Sequence, residues 1–574
     1  MNTSDEPLFE NFQPISTAEW EARIQADLKG ADYASALISG TSDGLQRKPY
    51  YRKEDLPVWM QNAPFGLFTD KGNANRWTNR QDFLVSDPKL ANQLALEALN
   101  NDISSVGFSV SGDLTAEDLQ NLLQGIWLNA VPVHLTVSQN AAAMANKMAQ
   151  AVQALGYTPA DVQGSLCLDS AKSADFPFPK VKTRIADGTQ IREQGGTTGL
   201  EIAGILAQYS DILAEHPALS EDVAVHTAVG SGYFEEIAKL RALRLLLPMV
   251  AEAYGVTTET PPVTAFTLNP NMTRVDRHTN LLRLTSEAMA AVLGGADEVS
   301  VAPFEAAETN PAFSARLSRN IQHLLAHETH LDYVDDPAAG SYYLETLTDQ
   351  LAAKAWQYFQ QMETLGGWAK AQTWINEQIA AAALAEQTAV LNGTRTLLGV
   401  NAFPNAKEAL NFTTPASDDR LSTPFEQLRA GLVAKGNVPH VLLLRFGTPA
   451  MASARSIFAS NFFGCAGLQI EESPFFATVE DAMHFAVENP TNFLVFCAAD
   501  ADYEALSPEV LAAAGKSAQT VTVAGWPAQA EALAAQGVQW FLRAGKGGAP
   551  LGIRMAEGAK TTTGLFETLQ TMLG

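Results

Sequence analysis

The order of apolar and polar positions alternates between two patterns from about residue 60 to residue 365. Short apolar runs bounded by turn residues alternate with longer stretches in which apolar residues recur every three or four positions. Such alternation predicts strands followed by helices, and therefore a parallel sheet. Eight runs are predicted as strands: S-S-V-G-F-S-V near 104, P-V-H-L-T-V near 132, G-S-L-C-L-D near 164, V-K-T-R-I-A-D near 181, V-A-V-H-T-A-V near 223, P-V-T-A-F-T-L near 262, D-E-V-S-V near 297 and A-G-S-Y-Y-L near 339. Eight strands of this kind close a (β/α)8 TIM barrel.

An amphipathic helix is predicted before the barrel, within residues 1–55. Thr17 is its candidate N-cap and Gly30 ends it. One face of this helix carries Trp20, Ile24 and Leu28. An isolated helix of this size is marginal in water, so its apolar face needs a surface to cover. The barrel of the same chain and a partner subunit are both candidates for that surface.

The pattern changes again after the barrel. Residues 366–435 predict helices to about Leu391, and a stretch rich in Pro, Ser and Asp then has the composition of a linker. From His440 onward, five short alternating runs separated by Ala-rich helical stretches predict a flavodoxin-like doubly wound domain. The predicted organisation is an arm (1–55), a barrel (56–365), a helical linker (366–435) and a flavodoxin-like domain (436–574).

Composition and charge exclude several classes of function. The chain has 574 residues, of which 46% are hydrophobic, so it can bury the cores of more than one domain. A net charge of −25 repels nucleic acids and anionic membranes. Cys167, Cys465 and Cys497 lie in apolar runs without C-x-x-C spacing, and the N-terminus lacks the pattern of a signal peptide. These features predict a cytoplasmic protein with reduced thiols.

A polar, glycine-bearing loop follows the predicted strand that ends at Asp187. Barrels of this class hold their active sites in the loops at the carboxyl ends of the strands. The residues predicted to face such a site are Asp187, Thr189, Gln190, Arg192 and Glu193.

Two segments around this loop resemble a known family. G-T-Q-I-R-E-Q-G-G-T and E-I-A-K-L-R-A-L-R are similar to Y-H-[IM]-[RQ]-E-A-G-A and E-I-A-K-[FL]-R-A-A-R of adenosylcobalamin-dependent acyl-CoA mutases, and D-P-A-A-G-S-Y-Y-L-E matches D-P-x-x-G-S-Y-Y-[LV]-E there. The opening F-Q-P-I-S-T-A-E-W-E resembles the small subunits of heterodimeric methylmalonyl-CoA mutases. The resemblance covers essentially the whole chain, and it favours an arm that wraps a partner.

The chain departs from the family where the family contacts its substrate. The family's Tyr-His pair is replaced by Thr189 and Gln190. W-T-N-R-Q-D resembles W-T-I-R-Q-Y with Asp82 at the tyrosine, and G-S-L-C-L-D resembles G-T-I-Q-N-D with Cys167 at a substrate-contacting glutamine. The segment that supplies an arginine for the substrate carboxylate contains none before Arg184. The resemblance therefore implies a barrel with a degenerate active site and no catalytic residues.

The second domain departs from the family in a similar way. In the catalytic subunits K-x-G-x-D-x-H-D-x-G supplies a histidine that coordinates cobalt. The aligned run places Arg445 at the lysine, Pro449 at the aspartate and Met451 at the histidine. A thioether can bind soft metals, but no carboxylate stands beside it to orient it, so Met451 is predicted to fill the core. No cofactor-binding or metal-ligating residue is predicted on this chain.

By resemblance, the chain is expected to be a non-catalytic partner of a homologous large subunit. That large subunit would bind adenosylcobalamin and interconvert (R)-methylmalonyl-CoA and succinyl-CoA by a radical 1,2-rearrangement. The chain itself would have a structural role and no activity alone.

An independent barrel enzyme is the alternative, either a divergent acyl-CoA mutase or a metal hydrolase. The hydrolase would use His323, His327 and His330, which are predicted to share one helical face beside Glu328, since imidazoles at i and i+4 can chelate zinc. The order H-x-x-x-H-E is not that of a metalloprotease, and the helix is predicted to precede the last strand outside the barrel, so an ordinary surface helix is the simpler interpretation.

Phosphate-binding loops give only weak signals. G-S-G-Y-F after the fifth predicted strand and R-A-G-K-G-G-A, which contains Lys546, could cradle an anion through backbone N–H groups. A nucleotide-binding mutase chaperone would carry a P-loop, G-x-x-x-x-G-K-[ST], and the sequence contains none.

Overall fold

The computed structural model describes residues 15–60, 74–137, 141–167, 176–215, 217–257, 260–305, 312–405, 408, 418–436, 438–545, 548–556 and 559–574. Within them the chain is α/β, with a nine-stranded sheet, a seven-stranded sheet and a small two-stranded sheet. The described helices include none with the length and apolar character needed to cross a bilayer.

The N-terminal arm consists of α1 (Thr17–Asp27), α2 (Tyr33–Leu37) and a hairpin of β1 (Ser39–Gly40) and β2 (Gln46–Arg47). The predicted N-cap was wrong by one residue, because Ser16 caps α1 and Thr17 is its first helical residue. The Ser16 hydroxyl accepts a hydrogen bond from the Glu19 N–H (3.3 Å), and the Glu19 carboxylate accepts one from the Ser16 N–H (2.9 Å). This reciprocal pair satisfies two backbone donors at the helix start.

The predicted barrel is confirmed, and its strands run parallel. They are β3 (Thr78–Val85), β4 (Ser105–Val110), β5 (Val133–Val137), β6 (Gln163–Leu166), β7 (Lys180–Lys182), β8 (Arg184–Asp187), β9 (Val223–Val229), β10 (Val263–Thr267) and β11 (Glu298–Ser300). Only Thr183 separates β7, which pairs with β6, from β8, which pairs with β9. The nine strands therefore occupy eight positions around a nearly closed barrel.

Helices surround this sheet. They are α3 (Pro88–Leu99), α4 (Ala116–Leu123), α5 (Ala141–Ala154), α6 (Thr189–Glu193), α7 (Thr198–Glu215), α8 (Tyr233–Ala253), α9 (Thr279–Leu293) and α10 (Ala312–His327), followed by α11 (Tyr342–Leu365) and α12 (Gln372–Asn392). The motif E-I-A-K-L-R places two cations inside the packed helices. Lys239 lies 2.9 Å from Glu201, and Arg241 binds Asp336 (3.0 Å) and Glu345 (2.9 Å), so this motif and D-P-A-A-G-S-Y-Y-L-E are held together by buried ion pairs.

Two of the strand assignments need correction. The run near 339 is not a strand, because Ser341 caps α11 and Tyr342 begins it. The missed strand is β3, whose alternate positions Arg80 and Asp82 are charged, so it lacks the apolar alternation that predicts a strand. As a result α10 follows the last strand, and the prediction that it precedes one was wrong.

The barrel core has two parts that meet at Thr183. One apolar cluster spans β3 to β7 and includes Phe108 and Val181. The other spans β8 to β11 with α7, α8 and α11, and it includes Ala186 and Leu206. Thr183 is fully buried, and its hydroxyl has no hydrogen-bond partner among the described residues.

The second domain confirms the predicted doubly wound sheet. After α13 (Thr423–Ala434) come β12 (His440–Phe446), α14 (Pro449–Gly464), β13 (Gln469–Phe476), α15 (Val479–Glu488), β14 (Thr491–Cys497), α16 (Pro508–Ser517), β15 (Ala518–Ala524), α17 (Ala530–Ala535), β16 (Trp540–Ala544), β17 (Pro550–Ala556), β18 (Ala559–Gly564) and α18 (Leu565–Leu573). The order β13-β12-β14-β15-β16 is the flavodoxin-like order 2-1-3-4-5. The antiparallel strands β17 and β18, which were not predicted, extend this sheet.

The second domain is joined to the loop between β10 and α9. Arg420 donates a hydrogen bond to the Met272 carbonyl (3.1 Å), and Glu426 accepts one from the Arg274 N–H (2.8 Å). Val275 from this loop belongs to the apolar core of the second domain.

Candidate functional site

A cavity of about 680 Å³ opens at the carboxyl ends of the barrel strands. Asp82 of β3, Asp187 of β8 and His226 of β9 reach it from three strands. It also contains Thr189, Gln190 and Glu193, so the structure brings together four of the five residues predicted around Asp187 and adds Asp82 to them. Cys167, one residue beyond β6, is exposed and forms no disulfide.

Local hydrogen bonds fix the first loop of this site. The Asp187 carboxylate accepts from both the N–H (2.8 Å) and the hydroxyl (2.6 Å) of Thr189, which starts α6 directly after the strand. Arg192 on the same helix instead donates to Glu236 (2.9 Å) and to the Gly196 carbonyl (2.8 Å). Arg192 therefore ties α6 to α8 and is not a ligand-binding residue of the cavity.

A buried polar network lies beneath the cavity, inside the barrel. Arg80 forms ion pairs with Asp82 (2.6 Å) and Glu298 (3.1 Å), and His134 binds the second oxygen of Glu298 (3.1 Å). Ser300 donates to Asp82 at 2.6 Å. Arg80 and Glu298 are 4% and 7% exposed, so each relies on the other for charge compensation.

The strand beside Arg80 leaves room for this network. A Cβ atom at position 107 would lie 1.8 Å from the Asp82 carboxylate and 2.8 Å from the Arg80 guanidinium. Only glycine fits there, so Gly107 and the Arg80–Asp82 pair depend on each other. Arg80 and His134 were missed from the sequence, although a charged residue within a barrel strand is itself a signal that the interior is polar.

The network sets the charge states at the floor of the cavity. Burial alone would raise the pKa of Glu298, but the neighbouring charges and hydrogen bonds of His134 and Arg80 outweigh it and hold that pKa far below its ordinary value. Burial lowers the pKa of His226 to about 4, although Asp187 opposes this shift. Near neutral pH, Glu298 is therefore ionised and His226 is an uncharged imidazole.

The lining does not suit an anionic ligand. Asp82, Asp187 and Glu193 contribute carboxylates to the cavity. The guanidinium of Arg80 is neutralised by two acids, and Arg319 donates to the Gln81 side chain at 3.0 Å. The Gln81 amide leaves the charge of Arg319 in place, but the carboxylates of the described lining outnumber this guanidinium, and a carboxylate or phosphate entering here would meet like charge from them.

The second place that topology marks as a ligand site is the crevice between β12 and β14, where the strand order reverses. Asp502 occupies it. Its carboxylate accepts hydrogen bonds from the N–H groups of Thr448 (2.7 Å) and Ala499 (3.3 Å), one from each of the two loops. A Cβ atom at Gly447 would lie 2.4 Å from the same carboxylate. The chain thus fills its own crevice with an anionic group.

The three residues aligned with the family's cobalamin motif, Arg445, Pro449 and Met451, make other contacts in this fold. Arg445 donates to the Ser473 carbonyl (2.9 Å) and lies 3.3 Å from Glu472, which braces the edge strand β13. Pro449 is the first residue of α14, where its missing N–H costs nothing. Met451 is 40% exposed, so the prediction that it fills the core was wrong. With no imidazole here and with Asp502 in the crevice, these residues do not fit the cobalt ligand set of a cobalamin.

The predicted histidine face on α10 is only partly formed. His323 and His327 stack with ring centroids 6.1 Å apart. The helix ends at His327, and His330 lies beyond it with φ 55° and stacks on Tyr333, so its predicted place on the same face was wrong. In the part of the chain that the structure describes, no three His, Cys, Asp or Glu residues are grouped so as to hold a metal ion.

The first predicted phosphate loop is surrounded by acids. The Gly230 N–H donates to Glu236 (3.0 Å), and the Ser231 hydroxyl donates to Glu287 (3.3 Å). Glu236 is ionised and would repel a phosphate, whereas burial raises the pKa of Glu287 to about 8 and keeps that group mostly uncharged near neutral pH. In the second loop, Lys546 and Gly547 lie outside the described residues.

Comparisons with known proteins agree with the resemblance. A family model described as "Methylmalonyl-CoA mutase" matches residues 168–430. The chain is 30% identical to the "Methylmalonyl-CoA mutase small subunit" of Porphyromonas gingivalis over 94% of this chain and 97% of that protein. It is also 30% identical to the protein of that name in Streptomyces virginiae, over 89% and 92% of the two chains. It is 27% identical to the "Methylmalonyl-CoA mutase" of Rhizobium meliloti, over 67% of this chain and 63% of that protein.

Proposed function

Because the chain belongs to the methylmalonyl-CoA mutase family, we propose that it is the small, structural subunit of a heterodimeric mutase. Its partner is a homologous large subunit that interconverts (R)-methylmalonyl-CoA and succinyl-CoA. The names of the relatives support this assignment, since they are described as small subunits. The chain alone would not catalyse the rearrangement.

The observation that carries the proposal is the self-contained network of the barrel. Arg80 and Glu298 satisfy each other, Asp82 takes the place of a family tyrosine, and Thr189 and Gln190 stand where the family has Tyr-His. The charged groups Arg80, Asp82 and Glu298 are already engaged within the chain, which supports a role in stability over one in catalysis.

We assign adenosylcobalamin to the large subunit. Cobalamin supplies the radical in this family by homolysis of its cobalt–carbon bond. On this chain, the exposed Met451 and the Asp502-filled crevice support the assignment of that group to the partner.

We infer that the N-terminal arm, residues 1–55, associates with the large subunit. Helix α1 has no buried residue, and Trp20 remains 48% exposed although its ring meets Tyr50 edge-on at 5.9 Å. Arg52 holds the start of this helix through the Thr17 hydroxyl (3.0 Å) and the Ile15 carbonyl (2.7 Å). An apolar face presented in this way suits a stable subunit interface, which buries at least about 1,000 Å².

We retain the other expectations as part of this proposal. They are a barrel over residues 56–365, a helical linker over 366–435, a cobalamin-type domain over 436–574, and a cytoplasmic location. The location is supported by Cys465 and Cys497, which are buried and unbridged.

The proposal is tested with the purified chain. We expect no mutase turnover from the chain alone and no shift of the cobalamin absorption spectrum when it is titrated with the cofactor. Co-expression with a longer homologue that contains D-x-H-x-x-G should give a co-purifying, active complex. Turnover by the isolated chain, or loss of its first 55 residues without loss of the complex, would contradict it.

A further inference from the structure

The cavity at the barrel mouth has polar groups on its walls that the network beneath it does not use. Its volume of about 680 Å³ is in the range of small-molecule sites. At its floor, Arg80 and Asp82 bind each other. Three uncharged polar side chains also line it: Ser109 of β4, Thr136 of β5 and His226 of β9. The hydrogen-bonding capacity of these side chains determines which ligand the cavity suits.

Two hydroxyl groups form one wall of the cavity. The register of β4 and β5 places Ser109 and Thr136 next to each other. Side chains alternate along a strand, and His134, two residues before Thr136, points inward to Glu298, so Thr136 points inward as well. Within the part of the chain that the structure describes, neither hydroxyl takes part in a hydrogen bond. Both are therefore available to a ligand.

A carboxylate and an imidazole form the facing wall. The paired strands β8 and β9 place Asp187 directly beside His226, and β9 lies four positions from β4 in the eight-position barrel. Both hydrogen bonds that Thr189 donates go to one oxygen of Asp187, so the other oxygen can accept from a ligand. The His226 ring meets Phe266 edge-on with centroids 5.1 Å apart, and neither of its nitrogens is hydrogen-bonded to a described residue. This wall therefore offers a carboxylate acceptor and an imidazole that both donates and accepts.

A buried amide adds to these groups. Asn79 lines the cavity on the side of α10 and is 8% exposed, yet neither its oxygen nor its nitrogen has a hydrogen-bond partner among the described residues. A buried amide without partners is costly, so this one indicates a bound water or ligand. Gln190 and Asn269 contribute two more amides at the exposed rim. The cavity thus has unused hydrogen-bonding groups from its interior to its rim.

The type of these groups favours an uncharged ligand. Hydroxyls, amides and a neutral imidazole both donate and accept, whereas an ammonium group only donates and a carboxylate or phosphate only accepts. Burial keeps His226 neutral by lowering its pKa to about 4. The carboxylates of Asp187 and Glu193 repel anions, and the guanidinium of Arg319 in the same lining weakens the attraction for cations. The hydroxyl groups of a polyol both donate and accept, so they match these side chains.

The rest of the lining suits a carbon skeleton. Phe266, Val301 and Ala302 add apolar surface to the cavity, and Phe266 is only half-buried. Small-molecule sites combine such surface with a few polar groups that fix the orientation of the ligand.

We propose that the barrel mouth binds an uncharged polyhydroxyl compound of monosaccharide size, held between the wall of Ser109 and Thr136 and the wall of Asp187 and His226. The carbon skeleton of the ligand lies against Phe266. This binding goes beyond the proposed structural role, requires no partner and involves no change in the covalent bonds of the ligand.

Saturation-transfer difference NMR of the full chain tests the site. D-glucose, D-ribose, xylitol and myo-inositol serve as uncharged probes, with putrescine as a cationic and acetate as an anionic probe. We expect a saturation-transfer signal from at least one uncharged probe and none from the charged ones. The Kd of the bound probe should be the same at low and at high NaCl concentration, because screening by salt does not act on an uncharged ligand.

Thr136→Val and Ser109→Ala each remove one hydroxyl from the cavity wall without breaking a described hydrogen bond of the fold. Each should raise the Kd of the bound probe about tenfold. Thr364→Val is the matched control and should bind as wild type does, because Thr364 is exposed on α11, where its hydroxyl donates to the Gln360 carbonyl (2.8 Å).

Three results would overturn the site: no signal from any uncharged probe, a stronger signal from putrescine or acetate, or an unchanged Kd in both cavity variants. The measurement uses this chain alone, so failure to bind a large subunit counts against the proposed function and not against the site.

Discussion

The barrel mouth and the crevice of the second domain are both positions at which folds of their class bind ligands. In this chain the mouth contains a cavity, whereas a side chain of the chain itself lies in the crevice. The mouth keeps a cavity of about 680 Å³ above a polar floor. The crevice is filled by Asp502, which accepts hydrogen bonds from the two loops that form it. The backbone groups of the barrel strands are paired within the sheet, so few backbone groups at the mouth need a further partner. The loop N–H groups of the crevice lack such partners and require an acceptor from the chain.

The strongest test of this contrast removes a charge from the barrel floor. Glu298→Gln removes the carboxylate that Arg80 and His134 both contact, while Arg80 keeps Asp82 and His134 keeps Ser165. Because the variant loses buried hydrogen bonds to a charged acceptor, we expect a loss of about 3 kcal/mol in the free energy of unfolding. Urea denaturation at neutral pH measures it.

Glu215→Gln is the matched control, since its pair with Arg184 lies at the surface (3.0 Å, with Glu215 56% exposed). It should cost less than about 1 kcal/mol. Similar midpoints for the two variants would mean that the barrel network contributes little to stability.

The crevice should show a smaller effect. Asp502→Ala removes the acceptor of two backbone N–H groups, and we expect a loss of about 2 kcal/mol in the stability of the second domain. Asp500→Ala, which breaks only the partly exposed contact with Arg455 (3.0 Å), serves as control and should cost less than about 1 kcal/mol. Equal losses of unfolding free energy in Asp502→Ala and Asp500→Ala would show that water replaces the Asp502 carboxylate without cost. The two loops would then not require an acceptor from the chain.

The smallest effect concerns the pH dependence of the barrel. The pKa of His226 is lowered to about 4 in the folded chain, so the unfolded chain binds more protons below its ordinary value of about 6.5. His226 therefore costs stability as pH falls, and we expect about 0.7 kcal/mol less of this loss between about pH 7 and about pH 6 in His226→Gln. Thermal unfolding at several pH values measures it, with His323→Gln on the outer helix α10 as control. Parallel pH profiles for wild type and His226→Gln would contradict the buried, neutral imidazole.

The sequence predicted those parts of the fold in which burial and apolar character coincide. Most strands of the barrel and the central strands of the second domain follow this rule, as in β9 and β12. Strand β3 does not, because its inward positions hold Arg80 and Asp82. A search for apolar alternation misses a strand whose inward side chains are charged. Arg80 can be buried in β3 because Glu298, which is far away in the sequence, compensates its charge.

The site was predictable in position but not in detail. Asp187, Thr189 and Gln190 follow a barrel strand and do reach its mouth, since the carboxyl ends of parallel strands share one face. His226 and Asp502 were missed because each matters only through its partners in space. The predicted shared face of His330 failed because the residue adopts φ 55° just after the helix, and a residue there no longer follows the helical repeat.

Thr183 lies at the boundary between the two apolar clusters of the barrel. Residues 78–182 and the segment that follows have separate apolar clusters. Apart from the continuous backbone, the contacts that join the described residues of the two portions include the pairing of β3 with β11 and the polar contacts of Glu298 with Arg80 and His134. Glu298 is thus a clasp between two apolar units, so its loss is expected to let them unfold separately.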